Sequence, residues 1–188
     1  LMNTKTKKLS TVSMVLCGMF AALVAIGAFI QIPVPYMDYF TLQFFFVLLA
    51  GLILGADKGA ISVGCYVLLG LVGVPIFAAG GGIGYIFRPS FGYLVGFIVS
   101  AYVTGKVCEK LKASYKNYLL ACLAGFVVTY AIGIVYKFII LNFYAHTPAT
   151  LGVIFLSCFP LDMPGDFVLC LLAAGVGLRM RKSGFYLS

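Results

Sequence analysis

A chain of 188 residues that is 63% hydrophobic and 10% charged, with a mean hydropathy of +1.11, carries more apolar surface than a water-soluble domain keeps off its exterior. Its length allows about six spans of roughly 20 residues and excludes an added soluble catalytic domain. The net charge of +8 does not point to nucleic acid, because eleven of the thirteen Lys and Arg residues fall in four short clusters between long uncharged stretches.

Those stretches cover residues 9–37, 39–56, 59–87, 89–105 and 118–136, followed by a shorter candidate span near 163–178. The first is broken at Gln31, Ile32, Pro33, Val34 and Pro35, since a prolyl nitrogen cannot donate and the residue before it leaves the helical region. It is longer than a signal-peptide core and has no clear small-residue cleavage site, so it is expected to be the first span. Further helices are expected over 39–54, 59–77, 91–106 and 118–141. The last should start at Asp162, a side chain suited to cap free N–H groups just before Met163 and Pro164. The basic clusters are Lys5, Lys7 and Lys8; Lys58; Lys106, Lys110, Lys112 and Lys116; and Arg179, Arg181 and Lys182. They fall on alternate loops, which places both termini in the cytoplasm. The expected fold is all-α: a polytopic, multi-pass cell-membrane protein with six transmembrane helices and cytoplasmic N- and C-termini. Residues 1–188 then form a single transmembrane substrate-binding domain with the lipid bilayer around it.

Catalytic chemistry finds little material. Cys17, Cys65, Cys108, Cys122, Cys158 and Cys170 have no CxxC spacing and read as small hydrophobes. His146 is alone, which suits neither a zinc site nor a triad. Gly80, Gly81, Gly82 and Gly84 lack the Lys and Ser/Thr that complete a phosphate-cradling loop. No catalytic residue, metal ligand or cofactor is expected, and any ATP energy must come from another polypeptide.

Asp38, Arg88, Lys137, Asp162 and Asp166 break the topological pattern and are therefore candidates for function. In a six-span arrangement all five lie toward the outer face, where two cations and several carboxylates suit a small polar ligand with an anionic group. The alternatives are loop charges at the interface or, for Asp162 and Asp166, acids favouring the positive end of a helix. In the fifth helix Thr129, Tyr130, Gly133 and Lys137 share one face. In the first, Gly18 with Ala22 and Ala21 with Ala25 make a small-residue seam, continued by Ala28, that fits either internal packing or a partner membrane protein.

These residues, taken in order, resemble a known family. Ile32, Pro33, Val34 and Pro35, then Thr41 and Gln43, then Gly80 to Gly82, Tyr85, Arg88, Pro89, Ser90, Gly92, Tyr93 and Gly96, and finally Pro164, Gly165 and Asp166 are similar to the BioY family, the biotin-specific S-components of energy-coupling-factor transporters. The resemblance covers nearly the whole chain and is close enough to suggest a member from a lactic acid bacterium. It implies a six-helix subunit that captures biotin from outside. The subunit would pair with a transmembrane coupling subunit and two ATPase subunits. It also implies that the seam on the first helix, at Ala21 and Ala25 with Gly18 and Ala22 beside them, docks the coupling subunit. The proline-rich 1/2 segment and the glycine-rich 3/4 loop would close over the vitamin. One departure stands out: many relatives carry a lysine soon after the Pro-Gly-Asp turn, where this chain has Phe167, Val168, Leu169 and Cys170.

Biotin's chemistry fits the residues at hand. Its ureido ring offers two N–H donors and a carbonyl, for which Asp166 can accept and Gln43, Thr41, Ser90 or the backbone of Gly81 and Gly82 can donate. Its carboxylate needs a cation, either Arg88 as a fork or Lys137 as a point charge. Tyr85, Tyr93, Phe87 and Phe91 are candidates to pack on its apolar body. Competing readings are an S-component for another vitamin and a stand-alone secondary transporter, which would usually show internal repeats. An intramembrane enzyme would need a nucleophile with a base or a metal cluster.

Overall fold

The computed structural model describes residues 10–33, 39–145, 147, 149–158 and 162–184. Ser10 starts the first helix, α1 (Thr11–Phe29), by accepting a hydrogen bond from the Ser13 amide at 3.2 Å, which satisfies one of the N–H groups a helix start leaves without a partner. Beyond Phe29 the chain extends. Strand β1 (Gln31–Pro33) pairs antiparallel with β2 (Tyr39–Thr41), with Gln31 opposite Thr41 and Ile32 opposite Phe40. This short ribbon is a local exception to the all-α expectation, which the mainly helical chain otherwise meets. Proline stops the helix, and the backbone groups that a helix would have paired internally find partners across two short strands instead.

Helix α2 (Gln43–Leu54) is apolar all round and buries all but two of its twelve residues, so it forms the centre of the bundle and not an outer wall. One residue, Gly55 at φ 81°, joins it to α3 (Ala56–Val72). That left-handed turn favours glycine, and it lets the two helices fold back on each other without a loop. The third helix therefore starts earlier and ends earlier than the expected 59–77, stopping at the left-handed Gly73. A compact segment follows, with a 3-10 turn at Ile83–Phe87, before α4 (Phe91–Lys110) and α5 (Tyr115–Ile139). A π-helical turn, Ile140–Tyr144, extends α5, and the short α6 (Leu151–Cys158) precedes α7 (Asp162–Lys182). Among the described residues four helices are long and apolar enough to cross a membrane: α1, α4, α5 with its extension, and α7. At 1.5 Å per residue α2 alone reaches only about 18 Å.

The α4–α5 interface is built from small residues at intervals of four. Gly92, Gly96, Ser100 and Thr104 on α4 face Gly133, Thr129 and Gly125 on α5. A side chain at Gly96 would press on the Thr129 backbone, one at Gly133 on the Tyr93 ring, and one at Gly125 on the Ser100 and Thr104 hydroxyls. Helices that lack a hydrophobic drive to associate inside lipid gain their contact from this close approach. Ser100, Thr104 and Thr129 are fully buried, and their hydroxyls make no hydrogen bond among the described residues; they act here as small space-filling groups.

The basic clusters within the described residues gather at one end. There the Glu109 carboxylate accepts from the Ala56 amide at 2.9 Å, Arg181 donates to the Tyr118 hydroxyl at 3.1 Å, and Ser62 donates to the Cys17 carbonyl at 2.7 Å. These bonds tie the start of α3 to the end of α4, the end of α7 to the start of α5, and α3 to α1. Asp38, Val34, Pro35, Lys5, Lys7, Lys8 and His146 lie outside the described residues.

Replacing Gly96 with Leu should lower the unfolding temperature in detergent by several degrees, since overpacking a tight contact costs about 1–3 kcal/mol. Gly64, whose added Cβ would meet nothing within 4 Å, is the matching control: Gly64→Ala should melt as the parent does.

Candidate functional site

The helix ends opposite the basic clusters surround a cleft. The space within it, counted together with the open solvent at its mouth, is about 800 Å³. Thr41, Gln43 and Phe44 come from the ribbon and the start of α2, Ser90, Tyr93, Leu94 and Phe97 from the start of α4, Tyr130 and Lys137 from the far half of α5, and Asp162 and Asp166 from the start of α7. Phe40, Ala78, Ala79 and Tyr85 complete the wall. The antiparallel course of the bundle brings these ends together, so residues separated by over a hundred positions share one cavity.

The polar groups are individually held. Asp166 accepts a hydrogen bond from the Tyr130 hydroxyl through Oδ2 at 2.8 Å. Tyr130 is fixed in turn by edge and tilted contacts with Tyr93 and Phe126, centroids 5.8 and 4.7 Å away. The Tyr93 hydroxyl meets Cys158 Sγ of α6 at 3.0 Å, tying that short helix to the cleft wall. Gln43 takes a hydrogen bond from Thr41 at 3.2 Å and gives one to Tyr66 at 2.5 Å. Ser90 Oγ is buried and Lys137 is half-buried, and neither side chain makes a hydrogen bond or ion pair among the described residues. Lys137 stands seven residues beyond Tyr130 on α5, about 10 Å along the axis. The cleft thus carries a cation at one level, a carboxylate held by Tyr130, and an aromatic floor, where Phe44 and Phe97 stack at 5.9 Å beside Phe126.

Seven of the ten residues expected to bind a ligand line this cleft: Thr41, Gln43, Tyr85, Ser90, Tyr93, Lys137 and Asp166. Gly81, Gly82 and Arg88 do not. Gly82 uses its N–H on the Gly70 carbonyl at 2.7 Å, and Gly81 packs so closely on Val74 and Gly70 that a side chain would not fit. Both lock the loop onto the end of α3. Arg88 is exposed, with its guanidinium 5.3 Å from the Tyr85 ring centroid, an arrangement in which the ring holds the cation at the outside. Phe87 stacks on Tyr144 at 4.7 Å and Phe91 packs on Tyr136 at 5.8 Å, so neither is part of the wall. Phe40, Phe44, Leu94 and Phe97 replace them. In the sequence these four are indistinguishable from core residues. Tyr130 did carry a signal, its place on the same helical face as Lys137. On α1, Gly18 and Ala22 are exposed and Ala25 is half-buried, whereas Ala21 is 7% exposed and packs into the core. The seam expected at Ala21 and Ala25 is therefore rotated: Cys17, Phe20, Ala21, Val24 and Ala28 make the inward face.

A family profile, that of the BioY family, matches residues 2–184. The chain is 40% identical over 177 residues to a probable biotin transporter BioY of Lysinibacillus sphaericus, covering 94% of this chain and 90% of that protein. It is 39% identical over 169 residues to the biotin transporter BioY of Thermotoga maritima, covering 88% and 93%. Among solved structures, the crystal structure at 2.1 Å of the S-component for biotin from an ECF-type ABC transporter superposes with a TM-score of 0.81 at 26% identity, covering 93% of each chain.

Tyr130→Phe removes the donor to Asp166 and should cost about 1–3 kcal/mol, the penalty for leaving a desolvated acceptor without its partner. The expected result is a lower melting temperature in detergent than for Tyr102→Phe, which alters a ring on the exterior of α4.

Proposed function

The chain belongs to the BioY family, and from that membership and the cleft we propose that it captures biotin and delivers it across the membrane as the S-component of an ATP-driven energy-coupling-factor transporter. The observation that carries the assignment of roles is the cleft's polarity. Lys137 stands about 10 Å along α5 beyond Tyr130, the residue that donates to Asp166, and aromatic side chains line the same cleft. Biotin has matching ends: a carboxylate for the Lys137 ammonium, and a ureido ring whose N–H groups suit Asp166. Gln43 and the Ser90 hydroxyl, which makes no hydrogen bond among the described residues, are placed to satisfy the rest of that ring, and the bicyclic body and tail are apolar enough for Phe40, Phe44 and Phe97. Lys137 also fills the role left by the missing lysine after the Pro-Gly-Asp turn.

The protein does no chemistry on its ligand. Six segments cross the membrane, α1, α3, α4, α5, α7 and α2 completed by the extended chain before it, with α6 lying at the cleft end. The basic end faces the cytoplasm, as the positive-inside rule requires, so the cleft opens outward in the cell membrane. Hydrolysis of ATP belongs to two partner ATPase subunits, coupled through a transmembrane subunit. The exposed Gly18 and Ala22 with the edge of Ala25 let a partner helix approach α1 closely.

Equilibrium binding to the detergent-purified protein tests the roles directly. Lys137→Ala and Asp166→Asn should each weaken biotin at least about tenfold, the scale of one lost charge-assisted hydrogen bond, and Arg88→Ala should stay within about threefold. Folded protein that binds no biotin would remove the assignment. Uptake by cells tests the seam: Gly18→Leu with Ala22→Leu should abolish transport with binding retained, and loss of binding in that folded variant would argue against a separate docking face.

A further inference from the structure

Tyr66 lies behind the cleft wall without lining it. It is fully buried on α3, packed edge-on against Phe77 at 5.6 Å, and it sits in a chain of four groups drawn from separate parts of the fold: Thr41 of β2, Gln43 of α2, Tyr66 of α3 and the Ile76 carbonyl of the segment after α3. Counting protons settles the direction of every bond. The Ile76 carbonyl, 3.1 Å from the Tyr66 oxygen, can only accept, so the one phenolic proton is used there. The Tyr66 oxygen must then accept from its other neighbour, Gln43 at 2.5 Å, and that neighbour atom is the amide nitrogen. The Gln43 carbonyl oxygen is left facing Thr41, whose hydroxyl donates to it across 3.2 Å. A flipped amide would set oxygen against oxygen at Tyr66 and forfeit that bond, whereas the Thr41 hydroxyl, able to donate or accept, pairs with either end of the amide. Gln43 itself is buried and lines the cleft, and the second N–H of its amide group makes no hydrogen bond among the described residues.

We propose that Tyr66 is a positioning residue for ligand selectivity: anchored on the Ile76 carbonyl, it holds the Gln43 amide in one orientation, so that the cleft offers an N–H to the ureido carbonyl and rejects a ligand that presents donors at that place. The inference rests on the biotin reading. It adds a residue that touches no ligand and acts wholly through Gln43.

The probe is 2-iminobiotin in its protonated form, which carries N–H donors where biotin carries the carbonyl oxygen. Its extra positive charge meets the same Asp162, Asp166 and Lys137 in every variant and so cancels from a comparison of affinity ratios. Tyr66→Phe keeps the ring and frees the amide to turn. It should reduce the preference for biotin over protonated 2-iminobiotin about tenfold, the scale expected when a buried polar group can re-pair. Tyr66→Met, which also lacks the hydroxyl, should move the ratio in the same direction, and it carries the test alone if Tyr66→Phe does not fold. In a Gln43→Leu background the Tyr66 change should leave the ratio unaltered within about twofold, the mark of an effect that passes through one neighbour. An unchanged ratio in the single variants, or the same shift with Gln43 absent, overturns the proposal while leaving biotin capture intact. A parent protein that binds neither ligand removes both readings together.

Discussion

Inside lipid, helices gain nothing by hiding apolar surface from one another, so their separation is decided by how small the residues between them are. The pairing of α4 with α5 depends on this constraint more visibly than any other part of the molecule. Steps of four through Gly92, Gly96, Ser100 and Thr104, met by Gly133, Thr129 and Gly125, hold the two backbones close along most of their length. The cleft follows from that distance. Ser90, Tyr93 and Phe97 come from one member of the pair and Tyr130 and Lys137 from the other, and the Tyr93 ring that presses on Gly133 is the same ring that steadies Tyr130. A looser pair would move the two halves of the polar wall apart while leaving every residue present.

The central helix has a different task. Because α2 is buried on all sides, its orientation cannot be set by contact with lipid. It is set at its two ends. At one end Gly55 folds it directly onto α3, whose first amide is capped by Glu109 from α4. At the other, the Leu42 amide bonds to the Gly27 carbonyl at the close of α1, and Gln43 begins the cleft floor. The short ribbon between α1 and α2 is thus the connection that brings Thr41 beside Gln43, and it exists because proline forbids the simpler helical route.

Charge was the most legible feature of the chain. In an apolar sequence every ionisable residue away from the loop clusters carries a cost, and Lys137 and Asp166 were visible for that reason alone. Arg88 was equally visible and stands outside the cleft, because sequence position at a helix end does not say whether a side chain turns in or out. The apolar wall was not legible at all: Phe44 and Phe97 have the same surroundings in sequence as the phenylalanines of the core. The glycine loop has the freedom to approach a ligand, yet Gly81 uses its lack of a side chain to approach α3, and Gly82, at φ 101°, bonds to α3 through its N–H. On α1 the small residues were found, but the rotation that separates Ala21 from Gly18 and Ala22 depends on which neighbours the helix meets.

The shortness of α2 has an electrical consequence. A hydrocarbon layer is about 30 Å thick, and a floor raised only about 18 Å from the basic end by twelve helical residues lies well below the opposite surface. Moving a unit charge through the whole of a membrane's field changes its energy by about 2.3 kcal/mol for each 100 mV, and a group bound at that floor stands part of the way through it. A neutral group there feels no such force, whereas a charge held at the level of Lys137, about two helical turns nearer the opposite surface, has crossed far less of the field. Depth in the cleft therefore sorts the parts of a ligand by charge, with the floor suited to a neutral group.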